Sequence, residues 1–112
     1  MILQGDLLLV PFPFSDQSGR KVRPVIVLSN NEFNGHSEDI IVVGVTSNLS
    51  KDKYAIKLDD KDLEEGKLIT SCMIKIENIL RLDRHLIIKK IGKIKKEKLK
   101  EMISIFNSII KA

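Results

Sequence analysis

Pro11-Phe12-Pro13-Phe14-Ser15-Asp16-Gln17-Ser18-Gly19-Arg20-Lys21-Val22-Arg23-Pro24, followed at once by Val25-Ile26-Val27-Leu28-Ser29-Asn30, carries the reading of this chain. A polar, glycine-containing stretch separates two apolar runs, Leu7 to Val10 and Val25 to Leu28, each too short for an ordinary helix. Runs of that length with such flanks read as buried strands joined by a surface loop. The loop closes on three cations, Arg20, Lys21 and Arg23, which is how a small scaffold presents charge to a phosphate ligand. Pro24 disfavours the helical region for the residue before it and so holds Arg23 extended at the mouth of the second strand. Arg23 is therefore the first candidate active-site residue.

Outward from this stretch the pattern repeats. Ile40-Ile41-Val42-Val43-Gly44-Val45 is a third apolar run, and Tyr54 to Leu58, Leu68 to Ile76 and Leu86 to Ile91 are further strand candidates. Many short strands with polar connections imply a mainly β chain built as a strongly curved antiparallel sheet or a small barrel. The polar insertion Asn30 to Asp39 reads as a long loop, and Asp59 to Gly66 as one helical turn closed by glycine. After Gly92 the period changes: Leu99, Met102, Ile103, Phe106, Ile109 and Ile110 recur at helical spacing and predict a C-terminal amphipathic helix. Lys95 and Lys96 at its start oppose the helix dipole, so this helix depends on packing.

The 112 residues fit one domain, 1–112, with a single modest core. Lysine and arginine number 19 against 15 acidic residues, a net charge of +4 that favours a polyanionic partner without identifying one. Much of that excess lies in the run Lys89 to Lys100, which reads as a solvated helix entry. Cys72 is the only cysteine, so an intrachain disulfide and a cysteine-rich zinc site are excluded; within its apolar–polar alternation it reads as a buried structural thiol. Leu7 to Val10 is too short for a signal core or a membrane span, and the expectation is a soluble cytoplasmic protein.

The histidines, His36 and His85, form no metal-ligand pair, and no P-loop, dinucleotide loop or Gly-x-Ser-x-Gly elbow occurs. No cofactor or metal is expected. The chemistry then falls to Arg, Thr, Ser, Asp and water. Arg23 suits a phosphate oxygen whose charge grows in a transition state, and the competing reading pairs it structurally with a carboxylate such as Asp16. Thr46 and Ser47 put two hydroxyls at the end of the third strand, where a turn bonding its own backbone is the alternative.

Several of these features together resemble the MazF/PemK-like toxin endoribonucleases. They are Gly5-Asp6 before an apolar strand, Arg23-Pro24 leading into Val25 to Asn30, Val45-Thr46-Ser47, and Glu77-Asn78-Ile79-Leu80-Arg81-Leu82-Asp83 ahead of a terminal helix. The resemblance spans essentially the whole chain. It implies an SH3-like antiparallel barrel, usually a homodimer, that cuts single-stranded RNA without metal and is silenced by a cognate antitoxin. It also implies catalytic roles for Arg23 and Thr46, with Asp16 at the family's acidic loop position. Asp16 stands where many relatives carry glutamate, and the segment from Asp16 to Arg23 is longer than in the best-known members. Substrate-binding residues on this reading are Ser47, Gln17, Arg20, Lys21, Phe14 and Asn78.

The reaction so implied is attack of a ribose 2′-hydroxyl on the adjacent phosphorus, giving 2′,3′-cyclic phosphate and 5′-hydroxyl ends. Arginine is a poor general acid because its pKa stays above ~12, so Arg23 reads as an electrostatic clamp. Asp16 is the candidate base, with His36 a second titratable group to test. Two other classes compete: a CcdB-type, protein-directed gyrase poison that works through its terminal helix, and a non-catalytic RNA-binding barrel.

Overall fold

The computed structural model describes residues 1–12, 21–49 and 52–112. Among the described residues seven strands form one antiparallel sheet: β1 (Asp6–Phe12), β2 (Lys21–Val27), β3 (Asp39–Thr46), β4 (Ala55–Leu58), β5 (Leu63–Gly66), β6 (Cys72–Asp83) and β7 (Lys89–Ile94). Their spatial order is β4-β6-β3-β2-β1-β7-β5, a curled, mainly β half-barrel with β4 and β5 as its edges. Two helices complete the described chain, α1 (Asn31–His36) and α2 (Lys96–Ile110).

The unbroken apolar runs have a direct cause in burial on both faces of the central strands. One face sends Leu7, Ile26, Val43, Ile74, Ile76 and Ile94 into a core shared with α2, and the other sends Leu8, Val10, Val25, Val27, Val42 and Leu82 into a second cluster. On α2, Met102 is fully buried, with Leu99, Ile105, Phe106 and Ile109 packed around the first cluster. A Met side chain so placed contributes about 1.5–3 kcal/mol of burial. Lys95 gives α2 no side-chain cap, so this packing is what holds the helix on the sheet. The helical spacing located the buried stripe to within one turn: Ile105 belongs to it, whereas Ile110 is exposed.

Some expected elements differ. Asn30 to Asp39 is not all loop, because the Asn30 side chain accepts the Phe33 N–H at 2.8 Å and starts α1. Buried Ser29 and Asn34 then tie that helix down, the Asn34 amide donating to the Ser29 carbonyl at 2.9 Å. Asp59 to Gly66 is a 3-10 turn over Asp60–Asp62 followed by strand β5, and Gly66 is no helix cap. It sits at φ 86° where a Cβ would meet the Ile91 carbonyl at 2.3 Å, so close pairing with β7 demands glycine there. β6 begins at Cys72 rather than Leu68 and runs on to Asp83, and β7 begins at Lys89 because Arg84–Leu86 form a 3-10 turn.

Gly5 and Asp6 serve the fold. Gly5 adopts φ 90° and bonds to β2 and β7, its N–H donating to Val27 and its carbonyl accepting from Ile94. Asp6, almost fully buried, accepts the Leu3 N–H at 2.9 Å, with Lys90 Nζ 3.3 Å from its other oxygen. Cys72 is buried as expected, and desolvation pushes its thiol pKa up, which suits a structural residue. Among the described residues no helix is long and apolar enough to cross a membrane.

Candidate active site

The register of three strands brings the main candidates together. Val25 pairs with Gly44 at the end of the β2–β3 ladder, and Arg23 and Thr46, each two residues beyond that pair, both line one cavity. Directly opposed residues share a face, so Arg23, Val25, Gly44 and Thr46 lie on one side of the sheet. On the far side of β3, Gly44 pairs with Lys75 of β6, which adds that side chain to the same face.

A bulge completes the site. Val43 pairs with Ile79 while Gly44 pairs with Lys75, so Ile76, Glu77 and Asn78 of β6 fall outside the ladder with β3. Ile76 turns into the core, its N–H donating to the Tyr54 carbonyl at 3.1 Å. Glu77 and Asn78 are exposed and turn toward the surface beside Gly44. A Cβ on Gly44 would lie 3.6 Å from the Asn78 Cβ, so Asn78 packs directly over this position of β3. Bulges commonly re-aim side chains next to functional sites in this way.

The result is a cavity of about 560 Å³ lined by Arg23, Pro24, Val25, Gly44, Val45, Thr46, Asn48, Lys75, Glu77, Asn78, Ile79 and Leu80. Its wall carries two cations, one carboxylate, two amides and one hydroxyl over a partly apolar floor. The Thr46 hydroxyl accepts the Asn48 N–H at 3.1 Å. Because that bond occupies a lone pair, the hydroxyl proton remains available to a ligand oxygen. The turn bond expected at Thr46 is thus present, and it leaves the hydroxyl's donor unused by that bond.

Lys75 is held from two sides. Its ammonium bonds the Asp52 carboxylate and lies 3.8 Å from Glu77 Oε2. The Asp52 hydrogen bond is the main cause that keeps its pKa above the usual lysine value. Lys75 is therefore a charged donor already balanced locally.

Of the residues singled out in the sequence, Arg23, Thr46 and Asn78 line the cavity. Ser47 and Lys21 are exposed and do not line it. Asp16, Gln17, Arg20 and Phe14 lie outside the described residues. His36 is exposed in the last turn of α1 and is not a lining residue. Sequence reasoning missed Asn48, Lys75 and Glu77; the adjacent polar pair Glu77-Asn78, interrupting an alternating strand, was the available signal. Among the described residues no group of three or more His, Cys, Asp or Glu side chains is placed to hold a metal ion.

A family model for PemK-like, MazF-like toxins of type II toxin–antitoxin systems matches residues 3–110. Endoribonuclease MazF of Staphylococcus saprophyticus is 29% identical over 105 residues, spanning 91% of this chain and 85% of that protein. A MazE–MazF crystal structure from Deinococcus radiodurans superposes with a TM-score of 0.79 at 22% identity, covering 97% of this chain and 95% of that one. An endoribonuclease in complex with its cognate antitoxin, from a mycobacterial species, gives 0.79 at 16% identity, covering 96% and 93%. At these identities the two structures establish likeness of fold.

Proposed function

Because this chain belongs to the PemK-like, MazF-like toxins of type II toxin–antitoxin systems, we propose that it is an endoribonuclease cutting single-stranded RNA. The observation that carries this reading is the convergence of Arg23 and Thr46 on one cavity, each two residues beyond the Val25–Gly44 pair of neighbouring strands. One domain, 1–112, holds the activity. The likeness to a mycobacterial endoribonuclease bound to its cognate antitoxin supports a protein partner that blocks this cavity, and the active species is a homodimer.

RNA supplies its own nucleophile, a 2′-hydroxyl already beside the phosphorus, and such intramolecular placement removes much of the entropic barrier. The 2′-oxygen loses its proton to a carboxylate, bonds to phosphorus, and the P–O5′ bond breaks. The departing 5′-oxygen takes up a proton, leaving 2′,3′-cyclic phosphate and 5′-hydroxyl ends. Negative charge builds on the phosphoryl oxygens between these events. Arg23 clamps that charge with its planar fork, and the Thr46 hydroxyl, oriented by Asn48, donates to one oxygen. Asp16 takes the proton-acceptor role, and Gln17, Arg20, Lys21, Phe14, Ser47 and Asn78 contact the strand on either side.

The test is incubation of purified protein with a long unstructured RNA in the presence of a chelator, with the new ends mapped. Cyclic phosphate termini are expected, abolished by Arg23→Ala. Loss of one such donor costs roughly a hundredfold or more, which is the expectation for Thr46→Ala. Intact RNA under conditions where the folded wild-type protein is verified would refute the nuclease reading, and near-wild-type cleavage by Arg23→Ala would refute the clamp.

A further inference from the structure

The Lys75–Glu77 pair lies in the cavity but has no role in the chemistry above. Its side chains are 21% and 38% exposed, so both are accessible to a ligand while being held. Two assignments compete, a second phosphate clamp and a reader of base edges. Charge decides between them. Lys75 faces two carboxylates, Asp52 and Glu77, and a phosphate brought to it would meet net negative charge from that cluster. A neutral nucleobase meets no such repulsion and can use both signs at once.

We propose that Lys75 and Glu77 form a base-reading subsite that selects guanine over uracil next to the cleaved bond; this rests on the nuclease reading. With Lys75 Nζ 3.8 Å from Glu77 Oε2, the pair offers a donor beside a two-oxygen acceptor, spaced to meet neighbouring atoms of one base edge. Guanine presents the complement: its N1–H and exocyclic N2–H donate to the carboxylate, and its O6 accepts from the ammonium. Adenine and cytosine offer one amino donor and a ring nitrogen, satisfying half of the carboxylate. Uracil keeps an acceptor, O4, for the ammonium and a donor, N3–H, for one carboxylate oxygen, but sets its O2 carbonyl against the other, where guanine donates N2–H, and so binds less well. Asp52 acts as the positioning residue, holding the Lys75 ammonium charged and in place. The bulge that ejects Glu77 from the ladder is what frees its carboxylate for this use.

The experiment measures binding and cutting separately. Oligouridylates eight nucleotides long, 2′-O-methylated to prevent cleavage, carry one guanosine at each position in turn, and their affinities are read by fluorescence anisotropy. A well-made bidentate base contact discriminates by about 1–3 kcal/mol, so one placement should bind roughly tenfold or more tighter than the all-uridine strand. That gain should vanish in Glu77→Gln and shrink in Lys75→Met, both at accessible positions where circular dichroism verifies the fold. Equal affinity for every placement in the wild-type protein would overturn the subsite, whatever the cleavage assay shows. In a parallel randomised-RNA digest, Glu77→Gln should keep cutting while losing its guanine preference. Loss of cutting at all sequences in that variant would overturn the base-reading role, whereas failure of the wild-type protein to cut any RNA refutes the nuclease reading alone.

Discussion

Gly44 separates the stability of this fold from the shape of its cavity. Its backbone φ is not positive, so nothing in its conformation requires glycine, and a Cβ placed there meets only the Asn78 side chain, at 3.6 Å and 3.8 Å. Gly44→Ala should therefore fold normally. Relieved of glycine's unfolded-state entropy, it should gain about 0.5–1 kcal/mol. Gly44→Val is different in its consequence for function, because its two γ-carbons extend past that ordinary contact and push Asn78 and the ligand off β3. A displacement of roughly 1 Å at a reacting centre costs on the order of a hundredfold in rate. The expected outcome is a Val variant with thermal stability within a few degrees of wild type and kcat/KM on unstructured RNA down by that factor, with the Ala variant intermediate. Thermal unfolding and initial-rate cleavage on the same preparations check it. A folded Gly44→Val protein retaining activity within threefold of wild type would refute the reasoning that this face of β3 is where RNA lies.

Two further outcomes concern the scaffold. Gly92→Ala sets a Cβ 2.7 Å from the Glu65 carbonyl, a backbone atom that cannot swing aside, so β5 must part from β7; a loss of about 1–3 kcal/mol is expected in denaturant titration. The Ser71 hydroxyl donates to Asp59, and this bond first, with nearby lysines adding, holds the Asp59 carboxyl below the usual carboxylate range. A depressed folded-state pKa stabilises above the unfolded value and is lost as pH falls through the folded one. Ser71→Ala should therefore lower the melting temperature at neutral pH and flatten its fall toward acid, and an unchanged acid limb would count against the assignment.

Local signals sufficed where burial is local in sequence. Val25 to Leu28 and Ile40 to Val43 announced themselves as strands because both of their faces are covered, and α2 because Leu99, Met102, Phe106 and Ile109 share one stripe on the first core. Arg23 and Thr46 were legible as residues and were expected to face each other across the sheet; that both line one cavity depends on the pairing of β2 with β3. Pairing register is a long-range property: one residue of slip exchanges the two faces of a strand. The turn after Asp59 was misread for a related reason. Gly66 resembles a helix stop locally, yet what demands glycine is Gly92 and the Ile91 carbonyl on a strand some 26 positions later. The same logic explains why Lys75 and Glu77 were not singled out as site residues. Lys75 sits in the alternating stretch Leu68 to Ile76 and Glu77 entered only through the resemblance; the mismatch between the Val43–Ile79 and Gly44–Lys75 pairings is what lifts Glu77 out of the ladder, and both charges line the cavity with Arg23. On the proposed mechanism the phosphate chemistry falls to Arg23 and Thr46, and base reading to Lys75 and Glu77 beside the bulge in β6. Substitutions of Lys75 and Glu77 should therefore shift sequence preference more than rate, and substitutions of Arg23 and Thr46 the reverse.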